Sequence, residues 1–287
     1  MDSCKLCGSS TSEPFFFKDG YELRRCSGCG LVRVANPPGP DELARLYSYS
    51  SGYGSESTTA AHALRRVRRW AESHLQVLDR HRRPPGRLLD VGCSNGYFLE
   101  AAAGRGWDAE GIDVNEDSVR VALSRNLTAR PGALEDADFE PGSFDAVTLW
   151  DVIEHVPDPA RTLGLARSLL AAGGLLLLST PNIGGLFPRL SYPLGRRTGY
   201  WPHAEPPQHL FQFSERTITR LLDSAGLRTI DIRHGRSPVR YTLVPEGPRA
   251  LAKSPTKALY GALFVGPLVL GPVVRAGDEI VVVAEAD

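Results

Sequence analysis

The run Leu88-Leu89-Asp90-Val91-Gly92-Cys93-Ser94-Asn95-Gly96-Tyr97-Phe98-Leu99 constrains this chain more than any other stretch. An apolar strand ends on an acid, passes through a turn of small residues and leads into a helix. One strand–helix unit later, Gly111-Ile112-Asp113 closes the next strand on a second acid. Glycines in the turn let a ligand approach the backbone, and a carboxylate at the tip of the following strand accepts hydrogen bonds from ribose hydroxyls. The pair fits a bound nucleoside.

The turn narrows which nucleoside. A nicotinamide dinucleotide asks for G-x-G-x-x-G, with its pyrophosphate on the helix N-terminus. Here the spacing is Gly92-x-x-x-Gly96, with Ser94 in place of the second glycine, and no lysine follows as a phosphate-binding Walker loop requires. Asp90 just ahead of the turn would repel a phosphate and suits a cationic ligand. With these residues the chain resembles class I S-adenosylmethionine-dependent methyltransferases over residues 87–287. The resemblance implies an α/β fold, a doubly wound and mostly parallel seven-stranded sheet of Rossmann-like type. It also implies that Asp90, Gly92, Cys93, Ser94 and Gly96 surround the methionine end of the donor and that Asp113 holds its ribose. Leu134 and Glu135 fall near the adenine, although Ala133 stands where an Asp is common. Trp150 and Asp151, where the strand of Phe144–Trp150 ends, wall the donor.

Four of the five cysteines form two pairs, Cys4-x-x-Cys7 and Cys26-x-x-Cys29. This is zinc-ribbon spacing. Gly8, Gly28 and Gly30 permit the tight turns that bring two thiolates to one metal. Four thiolates close a tetrahedral site, so the zinc is expected to be structural. Phe15, Phe16 and Phe17 are expected to supply the small apolar body of the ribbon. Disulfides are the alternative; no export signal is visible, and a reducing, cytoplasmic setting is expected.

Residues 1–36 are read as the zinc-ribbon domain, 37–86 as a linker and helical lid, and 87–287 as the methyltransferase domain. Tyr47, Tyr49 and Tyr53 are candidate lid residues. Leu64, Val67, Ala71, Leu75 and Leu78 predict an amphipathic helix over 60–81, whose other face carries Arg65, Arg66, Arg68 and Arg69. Strands are expected near 87–91, 109–113, 127–130, 144–150, 174–180, 227–234 and 278–285, alternating with helices near 95–104, 115–125, 158–171 and 214–225. By the resemblance, the last strand inserts antiparallel. Two insertions depart from a minimal domain. Residues 181–213 are rich in Pro, Gly, aromatics and His, and loops at the carboxyl ends of strands build substrate sites. Residues 244–277 hold an apolar stretch at 258–274, broken by Pro267 and Pro272 and too short to span a membrane. A membrane-surface contact, a homodimer face, a substrate wall and core packing are all open for it.

Methyl transfer needs an acceptor aligned with the methyl carbon and often a base for one proton. The candidates are His209 first, with His203 and Glu205, from Tyr200-Trp201-Pro202-His203-Ala204-Glu205-Pro206-Pro207-Gln208-His209, and His155 from Glu154-His155-Val156-Pro157-Asp158-Pro159. The second string resembles methyltransferases that include those O-methylating ubiquinone precursors. Asp151, Glu154 and His155 are also candidate Mg²⁺ ligands. The ribbon resembles the N-terminal module of sugar C-methyltransferases. The expected function is therefore methylation of an O, N or C atom of a small molecule, sugar-linked or a secondary metabolite. A lipid-like acceptor, an RNA methyltransferase or RNA-binding protein, and a non-catalytic binding module are the alternatives. Net charge is 0, which disfavours nucleic acid as a partner.

Overall fold

A computed structural model describes residues 3–47, 61–237 and 255–286; Tyr49 and Tyr53 lie outside them. The chain begins with an antiparallel meander, β1 (Ser12–Lys18), β2 (Tyr21–Cys26) and β3 (Val32–Val34). A short helix α1 (Pro40–Leu46) and the long α2 (Ala61–Asp79) follow. Then come β4 (Arg87–Val91), α3 (Tyr97–Gly104), β5 (Asp108–Asp113), α4 (Glu116–Ser124), β6 (Thr128–Pro131), β7 (Phe144–Trp150), α5 (Pro159–Leu169) and β8 (Leu170–Pro181). The chain continues through α6 (Leu186–Thr198), β9 (Phe211–Gln212), α7 (Glu215–Ser224), β10 (Leu227–Gly235), α8 (Pro255–Leu270) and β11 (Glu279–Ala286).

Seven strands form one sheet in the order β10-β11-β8-β7-β4-β5-β6. The pairs β8–β7, β7–β4, β4–β5 and β5–β6 are parallel, and β11 runs antiparallel to both β8 and β10. This is the Rossmann-like methyltransferase architecture expected from the sequence. Leu88, Leu89, Leu149, Leu176, Leu177 and Leu178 are buried, as central parallel strands covered on both faces require. One face packs under α2 and α3 through Ala71, Leu75, Leu78 and Phe98; the other packs under α5 and α7 through Leu163, Ala166, Ile218 and Leu222.

Local chemistry sets the helix starts. Asn115 accepts from the Ser118 N–H, Asp158 from the Arg161 N–H just ahead of Pro159, and Ser214 forms a capping box with Thr217. Close packing between β4 and β5 needs Gly111: a Cβ there would lie 2.6 Å from both Cys93 Sγ and Leu99 Cδ1. Gly111→Ala is therefore expected to destabilise the fold by about 1–3 kcal/mol, read as a lower urea midpoint with unchanged slope.

Both insertions hold a helix among their described residues. Residues 181–213 contain α6, and Gly195 sits where a Cβ would come 2.7 Å from Trp201. The apolar stretch 258–274 is largely helix α8, which buries Tyr260, Phe264 and Leu268 against Phe187 and Trp201. Leu259, Leu263, Leu270, Val273 and Val274 face outward. Among the described residues no helix is long and apolar enough to cross a membrane.

The meander does not stand alone. Val32 and Arg33 of β3 pair with Gln212 and Phe211 of β9, so its sheet has the order β1-β2-β3-β9. Phe15 and Phe16 pack against Trp201 and Tyr192 of the first insertion and not within a self-contained ribbon; Phe17 is 65% exposed. The expected apolar body of the ribbon is thus shared with the first insertion.

Candidate active site

The turn after β4 is built from left-handed residues, with φ of 75° at Gly92, 47° at Ser94 and 76° at Gly96. A Cβ on Gly92 would lie 2.4 Å from Val152 Cγ2, which ties this turn to the loop beyond β7. The Ser94 N–H donates to Asp113 Oδ2 and the Asn115 N–H to Asp113 Oδ1, both at 2.8 Å. Asp113 is thereby held at the tip of β5 beside the turn, each oxygen keeping a lone pair for a ligand hydroxyl. Burial raises its pKa.

Asp90 lies deeper. Its carboxylate accepts from Thr148 Oγ1 at 2.6 Å, and burial pushes its pKa up to about 7. Cys93 is buried with its thiol against the Gly111 backbone, and burial pushes that thiol up. Trp150 packs between His74 and Phe98, with ring centroids at 4.6 and 5.3 Å. Leu134 belongs to the core, and Glu135 accepts from Thr162 Oγ1 at 2.5 Å.

Beyond β7 the chain turns at Asp151, a non-glycine residue at φ 53°. Ser179 holds it there, accepting from the Asp151 N–H at 3.0 Å and donating to its Oδ1 at 2.7 Å. Such strain persists only where the surroundings enforce it. Next comes Glu154, whose backbone carbonyl accepts from Leu210 N–H and Phe211 N–H at 2.9 and 3.1 Å. Those two bonds bring the 200–210 loop over the end of β7. His155 and His209 meet ring to ring with centroids 4.8 Å apart. His155 Nδ1 lies 2.8 Å from the Gln208 carbonyl, which also accepts from the Tyr47 hydroxyl at 2.8 Å. An Nδ1–H donor there leaves His155 Nε2 as the basic nitrogen.

A cleft of about 310 Å³ opens at this point, lined by Trp70, Asp151, Glu154, Pro181, Pro202, His203, Glu205, His209, Ser237, Asp278 and Glu279. Sequence-selected His203, Glu205, His209 and Asp151 all line it, and His155 stands behind His209. His209 Nε2 is 3.8 Å from the half-exposed Glu205 carboxylate, and His209 Nδ1 meets no hydrogen-bond partner among the described residues. Burial lowers all three imidazoles, His155 and His203 to about 3 and His209 to about 4. They are neutral proton acceptors at pH 7.

Sequence reasoning missed Trp70, Asp278 and Glu279 as lining residues. A signal existed for the two acids: an antiparallel last strand starts at the end where its parallel neighbours finish, so acids at its start face the site. Trp70 is brought in by the packing of α2, which no local pattern announces.

The four cysteines come together, each offering Sγ within 4.8 Å of the others. The Cys4–Cys29 and Cys7–Cys26 sulfurs are 3.6 and 3.5 Å apart, far beyond a disulfide bond. Zinc–sulfur bonds of about 2.3 Å imply tetrahedral edges of roughly 3.8 Å, so the donor set fits zinc. Burial pushes the Cys26 thiol up, but hydrogen bonds from the Cys29 and Gly28 backbone outweigh it and bring it down to about 6. The site is clamped to later parts of the chain: Arg216 of α7 donates to the Cys29 carbonyl at 2.6 Å and Val34 N–H to the Leu210 carbonyl at 2.9 Å. Lys18 of β1 donates to the Ala204 carbonyl at 2.6 Å, inside the 200–210 loop.

Comparison with known proteins agrees with this architecture. The ubiquinone biosynthesis O-methyltransferase of Xanthomonas campestris is 43% identical over 106 residues, 34% of this chain and 44% of that protein. Its counterpart in Chromobacterium violaceum is 40% identical over 116 residues, 38% of this chain and 50% of that protein. The chain thus spans half or less of the length of these curated relatives. Among solved structures, Burkholderia thailandensis 1,6-didemethyltoxoflavin-N1-methyltransferase, with S-adenosylhomocysteine bound, superposes with a TM-score of 0.52 at 16% identity, covering 96% of this chain and 100% of that one. Haemonchus contortus phosphoethanolamine N-methyltransferase 2, with S-adenosylmethionine, gives a TM-score of 0.52 at 17% identity over 85% of this chain and 60% of that one. At those identities the likeness speaks for the fold. The family model described as a methyltransferase domain matches residues 61–232, well over half of the sequence, and the chain belongs to that family.

Proposed function

We propose that this chain transfers a methyl group from S-adenosylmethionine to a small molecule, sugar-linked or a secondary metabolite, held in the cleft at His209. The observation that carries the reading is the juxtaposition of a left-handed turn and its Asp113 tip with a cleft lined by neutral imidazoles. Gly92, Ser94 and Gly96 give the donor room against the backbone, and Asp113 accepts from its ribose hydroxyls. Cys93 and Asp90 support the turn from beneath, and Trp150 and Leu134 support the walls. The relatives' O-methyltransferase names support a small-molecule acceptor. When bound, the donor supplies an electrophilic methyl carbon on a sulfonium. The 200–210 loop excludes water and orients the acceptor toward the end of β7. His209 takes the proton that the acceptor releases, with Glu205 beside its Nε2 to stabilise the resulting imidazolium. His155 positions His209 by ring contact, and Tyr47 fixes the carbonyl that His155 uses. His203 lines the same wall.

The donor assignment is tested by titrating the full chain with S-adenosylhomocysteine in a calorimeter. Asp113→Ala is expected to weaken binding about ten- to hundredfold, the range of one or two hydrogen bonds to a charged group. Asp113→Asn, which keeps the shape of the turn, should lose less. Unchanged affinity in both variants would remove Asp113 from the donor site.

A further inference from the structure

The cleft has an unusual charge pattern for a pocket that takes a neutral metabolite. Among the described residues five carboxylates line it, Asp151, Glu154, Glu205, Asp278 and Glu279, and no lysine or arginine does. Lys18 acts on Glu205 and Arg236 on Asp278 from outside the lining. Two of the acids are almost wholly inaccessible, Glu154 at 1% and Asp278 at 2% exposure, and among the described residues none of their four carboxylate oxygens has a partner at full hydrogen-bond geometry; Thr180 near Glu154 and Ser237 near Asp278 only partly offset the burial. Nε2 of His203, in a side chain of the same wall at 7% exposure, has no such partner among them either. Buried polar groups are ordinarily satisfied, and unpaired buried carboxylates are costly. Burial, aided for Glu154 and Glu279 by the neighbouring Asp151 charge, holds Glu154, Asp278 and Glu279 above the ordinary carboxylate range. Trp70 brings an indole to the lining.

We infer that the acceptor carries a protonated amine, which seats in this cleft against the Trp70 indole and the carboxylates of Glu154, Asp278 and Glu279. An ammonium offers N–H donors to unpaired carboxylate oxygens and positive charge to an indole face, so one group answers both features. The inference rests on the methyl-transfer reading, in which this cleft is the acceptor's. The donor's own positive charge does not account for the far wall. Asp278 and Glu279 stand at β11, three strands from the β4 turn in the sheet order, about 14 Å at the usual strand spacing. A metal ion does not account for it either. Glu154, His155 and His209 offer ligand atoms within 4.8 Å of one another, but Asp278, Glu279 and Asp151 are not in that group, and an indole gives a hard cation no ligand atom.

The test uses the zinc-loaded full chain, first saturated with S-adenosylhomocysteine. Phenethylamine and its neutral counterpart 2-phenylethanol are then titrated separately. The amine is expected to bind at least about tenfold more tightly. Glu154→Gln and Asp278→Asn should each reduce that preference, and together remove it, with S-adenosylhomocysteine affinity changed by less than about twofold. Equal binding of amine and alcohol would overturn the amine inference and leave the donor reading standing. Failure to bind S-adenosylhomocysteine would overturn the donor reading, and the same amine–alcohol comparison on the free protein would still decide the cleft. One equivalent of Mg²⁺ binding in the cleft, abolished by Glu154→Gln and accompanied by no amine preference, would reassign these residues to a metal.

Discussion

Stripping zinc from the four-cysteine site is expected to disable the acceptor side of the protein and largely spare the donor side. Cys4, Cys7, Cys26 and Cys29 would hold the metal, and structural zinc is worth about 10–16 kcal/mol in small zinc-binding folds. Without it the β1–β3 meander loses most of what holds it. Its last strand pairs with β9, and Val34 donates to the Leu210 carbonyl immediately after His209. The loop that carries His203, Glu205 and His209 therefore loses the supports that come from the meander, Val34 at Leu210 and Lys18 at Ala204, and keeps those from the Glu154 carbonyl, His155 and Tyr47. Residues 203–213 should lose amide protection on chelation, and turnover should fall at least about hundredfold, as a misplacement near 1 Å can produce. S-Adenosylhomocysteine affinity should change by less than about fivefold, because Asp113 is held by the Ser94 and Asn115 N–H groups and not by the meander. Cys26→Ser should reproduce the effect. Full protection of 203–213 in metal-free protein would show that the ribbon is a passenger.

His209→Ala should lower kcat by about 10²–10⁴-fold, the usual contribution of a positioned general base, with little change in donor affinity. The pH profile separates a base from a packing residue. Burial, followed by the Lys18 charge, lowers His209 from the free value of 6.5 to about 4. The imidazole is then unprotonated throughout the neutral range and accepts a proton only as pH falls toward 4. An acid limb in kcat due to His209 should lie near pH 4 and not near 6.5. His209→Gln, which fills the same space without a titrating nitrogen, should remove it. A fully active His209→Ala variant would end the assignment.

The sheet was legible because its signals are local. Leu88 and Leu89 run apolar without alternation into Asp90, Asn115, Asp158 and Ser214 cap the helices that follow them, and Gly92 and Gly96 mark the turn. The four cysteines were legible because metal spacing is local too. Contacts between distant segments were not. Nothing near Phe211–Gln212 announces a fourth strand for a sheet formed by residues 12–34. Pro193 within α6 and Gly195 beneath Trp201 read as loop residues, although the first insertion packs as a helix around that indole. His203, Glu205 and His209 were found because they crowd one loop. Trp70, Asp278 and Glu279 come from three-dimensional convergence of α2 and β11 on the same cleft, which only the assembled sheet reveals.

The pairing of β3 with β9 also bears on how the chain acquires its structure. Residues 32–34 emerge early in synthesis, but the strand that completes their sheet lies at residues 211–212. The cysteine-bearing segment must wait, with its edge unpaired, until most of the protein has been made. Contacts of such long sequence separation slow folding and leave intermediates open to association. The metal is then the natural guardian of that interval, since it can close the knuckles around Cys4, Cys7, Cys26 and Cys29 before any partner strand exists.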